Sequence, residues 1–235
     1  MSYAPAGPTP DKLTGAPALS LWLKADAITP VADGTAVATW ADSSGNGRDV
    51  TQATGGKQPL YKVAVPGLGG KPALRFDGTD DTLVNAATGL TAGTAWTVAV
   101  VGINRSPGTV SKMLFDGRGT GFLDLAVSGS GNYECSTFPD IPPDSKIAGA
   151  APAFLTLVVD GALTSGFWSG LPLGSVAHTT SHTPSAVYVA SNADVNQFFN
   201  GDIAEVVVYK SALTAQQRSD LWRGFSTKYS LGFWS

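Results

Sequence analysis

Paired carboxylates, or a nucleophile beside a base, are the first groups to look for, because most hydrolytic chemistry at neutral pH depends on them. The chain holds two glutamates, Glu134 and Glu205, far apart in sequence, and no stretch of it offers alternating carboxylates. Cleaving a glycosidic bond takes two carboxyl groups flanking it, so this spacing argues against a glycosidase. His178 and His182 form His-x-x-x-His, but in extended chain they stand about 13 Å apart, too far to share a metal. No Gly-x-Ser-x-Gly turn presents a nucleophilic serine. The Gly-rich stretches lack the lysine and the strand-to-helix setting of a phosphate loop. Cys135 is the single cysteine, which excludes an internal disulfide and reads as a buried spectator thiol. Catalysis has no support in these residues.

Binding chemistry has more. Asp77-Gly78-Thr79-Asp80-Asp81 gathers hard oxygen ligands on one turn, the donor type calcium takes about six to eight of. Asp42, Asn46 and Asp49 make a second oxygen-rich loop. Turns of this composition also close without metal, through side-chain bonds to their own backbone. Calcium is therefore a candidate ligand, and no cofactor is required. Sugars stack their apolar faces on aromatic rings while amides take the hydroxyls. The candidates for that role are Trp168 on the turn Gly166-Phe-Trp-Ser-Gly170, Tyr133 with Asn132, and Tyr188 with Asn192. Trp22, Trp40, Trp96 and Tyr209 lie in strand-like patterns and are assigned to the core.

The elements that must position these groups are short strands. Hydrophobic residues are 43% of the 235 and charged ones 14%, enough for a sizeable core and too little charge for a disordered chain. A formal net charge of −3 without a basic patch excludes nucleic acid as the expected partner. No run is long and apolar enough for a membrane helix. Leu19, Leu21 and Leu23 alternate with Ser20, Trp22 and Lys24, the period of a half-buried strand. Further strands are expected at 36–40, 73–76, 96–103, 113–115, 122–127, 154–159, 186–190 and 202–209. Asp33-Gly34, Asp77-Gly78, Asp116-Gly117, Asp160-Gly161 and Asn200-Gly201 punctuate the series as turn signals. Thr214-Ala-Gln-Gln217 is a capping box opening a helix over about residues 214–228, with Leu221, Trp222, Phe225 and Tyr229 as its apolar stripe. That helix is expected to pack on an edge or end of the sandwich as a structural element. Residues 1–17, rich in Pro and Gly, read as an extended arm.

Three segments resemble the laminin-G-like jelly-roll domains of the concanavalin A-like lectin and glucanase superfamily. They are Leu21-Trp-Leu-Lys-Ala-Asp26 with Trp40-Ala-Asp-Ser-Ser-Gly-Asn-Gly47, Lys71-Pro-Ala-Leu-Arg-Phe-Asp-Gly-Thr-Asp-Asp81, and Phe199-Asn-Gly-Asp-Ile-Ala-Glu-Val-Val-Val-Tyr209. The third leads through Leu213-Thr214 into the helix ending Lys228-Tyr229, and the order matches over about residues 18–232. The resemblance implies an all-β fold: a two-sheet antiparallel jelly-roll sandwich, concanavalin A-like, with one C-terminal α-helix, over residues 18–235. Hydrolases of the superfamily carry a Glu-x-Asp-x-Glu strand, which is missing here. Relatives often hold a structural calcium, but Ala204 stands where they often show Asp.

Fold alone does not assign function. The arm, the start at Met1 without a secretory pattern and the Ala/Gly/Thr-rich composition lead to the expectation of a non-catalytic phage virion surface protein. Capsid decoration, a fibre or a tail-surface component would fit. Such a protein would be made in the host cytoplasm, attach to other virion proteins through the arm or a sheet edge, and contact host glycans. The alternative is a carbohydrate-binding or adhesin module of a bacterial surface or secreted protein. Homo-oligomers fit either reading.

Overall fold

Strands of Val, Leu and aromatic residues, broken by Gly, Pro and Asp, pair into two antiparallel sheets. The computed structural model describes residues 7–15, 18–29, 31–90, 94–106, 112–117, 123–127, 133–137, 151–161, 163–177 and 184–232, the side chains of 112–113, 123–124 and 133–137 excepted. The strands are β1 Leu19–Lys24, β2 Thr39–Trp40, β3 Val50–Thr51, β4 Leu60–Val65 and β5 Lys71–Asp77. Next come β6 Leu83–Asn85, β7 Trp96–Asn104, β8 Lys112–Asp116, β9 Leu123–Val127 and β10 Tyr133–Thr137. Last are β11 Pro152–Asp160, β12 Leu163–Trp168, β13 Leu171–Ala177, β14 Val187–Val189 and β15 Asn200–Tyr209, followed by α1 Ala215–Tyr229. The eight-stranded sheet runs β13-β12-β11-β7-β15-β5-β4, with β1 also paired to β15; the seven-stranded one runs β10-β9-β8-β14-β6-β3-β2. The all-β sandwich with one C-terminal helix is the fold expected from the sequence.

Alternation sorts each central strand between two cores. Val98 and Val100 of β7, Leu155 and Leu157 of β11, and Val206 and Val208 of β15 face the other sheet. Ala99, Val101, Phe154, Val207 and Tyr209 face the opposite way and meet Leu221, Trp222, Phe225 and Tyr229 of α1. The helix therefore covers the outer face of the eight-stranded sheet rather than an edge or end of the sandwich. The near-continuous burial of β15 and β11 records the same fact, since a strand covered on both faces has no solvent side to alternate with. β1 is likewise buried through Ser20, Leu21, Trp22 and Leu23, where the sequence pattern suggested a half-exposed strand.

The helix start follows the sequence closely. Thr214 Oγ1 accepts from Gln217 N–H at 3.2 Å, and Gln217 Oε1 accepts from Thr214 N–H at 3.0 Å. Its last turn is closed by Ser230 at φ +52°. Among the turn signals, Gly34, Gly78 and Gly161 adopt positive φ, whereas Asn200-Gly201 opens β15 instead of turning the chain. There, a Cβ on Gly201 would sit 2.3 Å from Ile103 O, so its glycine serves close strand approach.

The N-terminal arm is partly a strap. Pro10 and Leu13 are buried, Tyr209 Oη donates to Pro10 O at 3.1 Å, and Gln217 Nε2 donates to Gly15 O at 2.9 Å. A Cβ on Gly224 would meet Pro8 O at 2.4 Å, so the arm crosses α1 where the helix has no side chain.

Candidate functional site

Strands β12 and β13 are joined by a two-residue turn, Ser169-Gly170, with φ of +47° and +83°. Positive φ at both central positions is the geometry that matches strand twist in tight hairpins, and Gly at the second position adopts it without Cβ strain. The turn is tied down because Ser169 N–H donates to Phe154 O at 2.7 Å. Trp168 thereby sits at the hairpin tip, half-buried and packed in part against the inter-sheet core. The tip and α1 enclose a cleft of about 300 Å³, lined by Trp168, Ser169, Gly170, Leu171, Ala215, Arg218, Ser219 and Trp222.

Helix periodicity supplies the other wall. Ala215, Arg218, Ser219 and Trp222 fall at the three- and four-residue spacing that shares one helix face. Trp222 is fixed from behind by Phe154, with ring centroids 5.7 Å apart. Arg218 lays its guanidinium 4.0 Å from the Phe167 ring centre and donates from Nη1 to Leu213 O at 2.6 Å. Burial lowers its pKa from the ordinary arginine value, and an arginine stays charged at neutral pH regardless. The lining thus offers indole surface, two serine hydroxyls and one cation. Trp168 is a candidate legible in the sequence, whereas Trp222 belongs there to the packing stripe and Arg218 shows no signal beyond the helix face the two share.

The other sugar-binding candidates lie elsewhere. Tyr188, in β14, pairs with Val84 and Asp116 on the seven-stranded sheet, half-buried, between Val187 and Val189 that turn into the core. Asn192 is buried, and its side chain is spent on its own loop. Its Oδ1 accepts from Asn196 N–H at 3.0 Å and Gln197 N–H at 3.1 Å, and its Nδ2 donates to Asn196 Oδ1 at 2.7 Å. The side chain of Tyr133, in β10, and the whole of Asn132 lie outside the described residues, as do His178 and His182. Trp168 and Tyr188 belong to different sheets and form no single site.

The acidic loops separate in the same way. Asp77, Asp80 and Asp81 bring carboxylate oxygens within 4.8 Å of one another, a group able to hold a metal ion such as calcium. Asp77 Oδ1 accepts from Thr79 N–H at 2.7 Å, and Asp81 Oδ2 accepts from Asp77 N–H at 2.9 Å. Burial, with Asp77 and Asp80 as neighbouring anions, pushes Asp81 up to about 6. Asp42 and Asp49 do not join this group. Asp42 accepts from Trp22 N–H, Ser44 N–H, Arg48 N–H and the Ser44 hydroxyl at 2.8 to 3.0 Å, which holds its pKa low despite burial. A carboxylate so occupied by donors is a loop organiser, and Asp49 does the same for Asp42 N–H at 2.8 Å. Three strands lie between β12 and β5 in the sheet, which sets the triad about 19 Å across it from the cleft.

Glu205 is 1% exposed. Its Oε2 accepts from Trp22 Nε1 at 2.7 Å, while Oε1 accepts from Tyr229 Oη at 2.7 Å and from Lys228 Nζ. Lys228 also pairs with Asp26 at 2.8 Å. A carboxylate saturated this way fastens β15 to α1 and β1.

No protein-family model matches the sequence and no curated protein matches it. Solved structures do match. Domain 4 of AbnA, a GH43 extracellular arabinanase from Geobacillus stearothermophilus, solved in complex with arabinotriose, superposes with a TM-score of 0.63 at 16% identity, over 88% of this chain and 98% of its own. Trypanosoma rangeli sialidase in complex with sialic acid gives 0.62 at 14% identity, over 89% and 33%. The binding domain of Paraclostridial Mosquitocidal Protein 1 gives 0.57 at 14%, over 87% and 51%. The chain therefore spans nearly all of the arabinanase domain, about half of the toxin domain chain and a third of the sialidase. These likenesses show the fold. The family resemblance drawn from the sequence is cut back accordingly to the two-sheet β-sandwich fold.

Proposed function

We propose that this chain is a non-catalytic carbohydrate-binding module whose sugar sits in the cleft between the β12–β13 tip and α1. The observation that carries the reading is the meeting of Trp168 and Trp222 with the hydroxyl-bearing Ser169 and Ser219 around one opening of about 300 Å³. That volume is at the small end of ligand pockets and suits one or two sugar rings. Sugar C–H groups stack on indole, and the serine hydroxyls exchange hydrogen bonds with the sugar's own hydroxyls. The arabinanase domain of the same fold, solved with arabinotriose, supports a sugar as the ligand class.

The reading drawn from the sequence, a phage virion surface protein, receives no support from the three solved structures compared above. The arm meant to attach it is in part engaged by α1 and Tyr209. The alternative, a module acting at a bacterial surface or in a secreted protein, is the better supported of the two. One calcium ion at Asp77, Asp80 and Asp81 completes the proposal. Its charge would offset the burial, and the neighbouring anions Asp77 and Asp80, that raise Asp81.

The test is binding to a panel of immobilised neutral and acidic oligosaccharides by the wild type and Trp168→Ala. At least one glycan should be retained, and the variant should lose about tenfold or more in affinity while staying folded. Equal retention by the variant would remove the cleft from the proposal.

A further inference from the structure

Among the described residues, Arg218 is the single charged one lining the cleft. Arg75 and Arg105 face Asp202, and Arg223 faces Asp220; among the described residues, no carboxylate stands within ion-pair distance of Arg218. Its guanidinium is nevertheless held in place, by the Phe167 ring at 4.0 Å on one face and by Leu213 O at 2.6 Å on Nη1. A half-buried cation fixed in orientation, with no counter-charge among the described residues, has a desolvation cost that an anion in the cleft would offset. The guanidinium fork presents parallel N–H groups that match a carboxylate in two-point contact, which a lysine would not reproduce.

Resting on the reading of the cleft as a sugar site, we propose that the sugar is acidic. It would carry a carboxylate, as a uronic acid does, placed against Arg218 while its ring stacks on the indoles. A neutral sugar would use the same aromatic surface and leave the guanidinium unmatched, so the charge sets selectivity and the tryptophans set the class.

Isothermal titration of the full chain with trigalacturonate and with neutral arabinotriose separates these roles. At about 20 mM salt the acidic trisaccharide should bind at least tenfold more tightly, and its advantage should shrink at about 500 mM. Arg218→Gln should cost the acidic ligand about tenfold more than it costs the neutral one, with Arg218→Lys intermediate. Thermal melts of both variants confirm that each remains folded. If trigalacturonate binds no tighter than arabinotriose and Arg218→Gln is without effect, the acidic assignment falls while the sugar site stands. If no glycan of the wider panel binds, neutral or acidic, the sugar-site reading falls and the acidic assignment with it.

Discussion

Tyr229 donates its phenolic hydrogen to Glu205 Oε1 at 2.7 Å, joining the last turn of α1 to the middle of β15. Burial and the adjacent carboxylate push the tyrosine's ionisation far above its ordinary value, so the hydroxyl remains a donor throughout the usual pH range. With Trp22 and Lys228 on the same carboxylate, Glu205 anchors the wall that carries Arg218 and Trp222.

Replacing Glu205 with Ala leaves the buried Trp22 Nε1 and Tyr229 Oη without their acceptor, and Lys228 with Asp26 as its remaining partner. Each buried donor left without its acceptor costs about 1–3 kcal/mol, and urea denaturation should show a loss of about 2–6 kcal/mol for the two. Glu205→Gln keeps one acceptor and should lose less. A stability unchanged in Glu205→Ala would contradict the anchoring role.

Asp81 makes stability depend on pH. Its folded-state pKa is about 6 against an ordinary 3.8, so the folded protein holds this proton more tightly than the unfolded chain. The resulting stabilisation is complete below about pH 4 and is lost as pH rises through 6, for about 3 kcal/mol at most. Asp81→Asn should flatten this component of the stability-against-pH curve. Adding calcium at pH 7 should raise the wild-type Tm and raise that of Asp81→Asn less. An identical calcium response in the two proteins would argue against the triad as the ion's site.

The arm contributes to the fold. Deleting residues 1–15 exposes the surface under Leu13, worth about 2 kcal/mol for a buried leucine, and removes the acceptor of Tyr209 Oη. The truncated protein should melt lower and lose at least about 2 kcal/mol in denaturant. An unchanged Tm would show that the arm is a free tether after all.

Gly170→Ala tests the hairpin tip. At φ +83° a Cβ is strained, and one would also come 3.4 Å from Trp222 Cδ1. A stability loss of about 1–2 kcal/mol is expected, together with weaker sugar binding, since the tip is one wall of the cleft. Gly161→Ala, at φ +60° with open space around it and away from the cleft, should cost stability without altering binding.

Local relationships were readable from the sequence, and long-range ones were not. The capping box at Thr214 and Gln217 and the burial of Trp22, Trp40, Trp96 and Tyr209 all depend on nearest neighbours or on strand alternation. The placement of α1 over the eight-stranded sheet depends on which strands share that face, and the apolar stripe alone does not say where it docks. The same holds for the cleft: Trp168 and Trp222 meet only after the β12–β13 tip folds against the helix. Asp42 shows the opposite difficulty, because its oxygens are visible in the sequence while the four donors that occupy them come from three other residues.

The most direct measurement follows the indole N–H signals of the six tryptophans by NMR while the best-retained glycan of the panel is titrated in. The signals of Trp168 and Trp222, assigned by single substitution, should shift in step with saturation while those of Trp40 and Trp96, buried in the inter-sheet core, stay in place. Saturable binding that leaves both cleft indoles unmoved, or no glycan binding at all, would contradict the assignment of the cleft as the carbohydrate site.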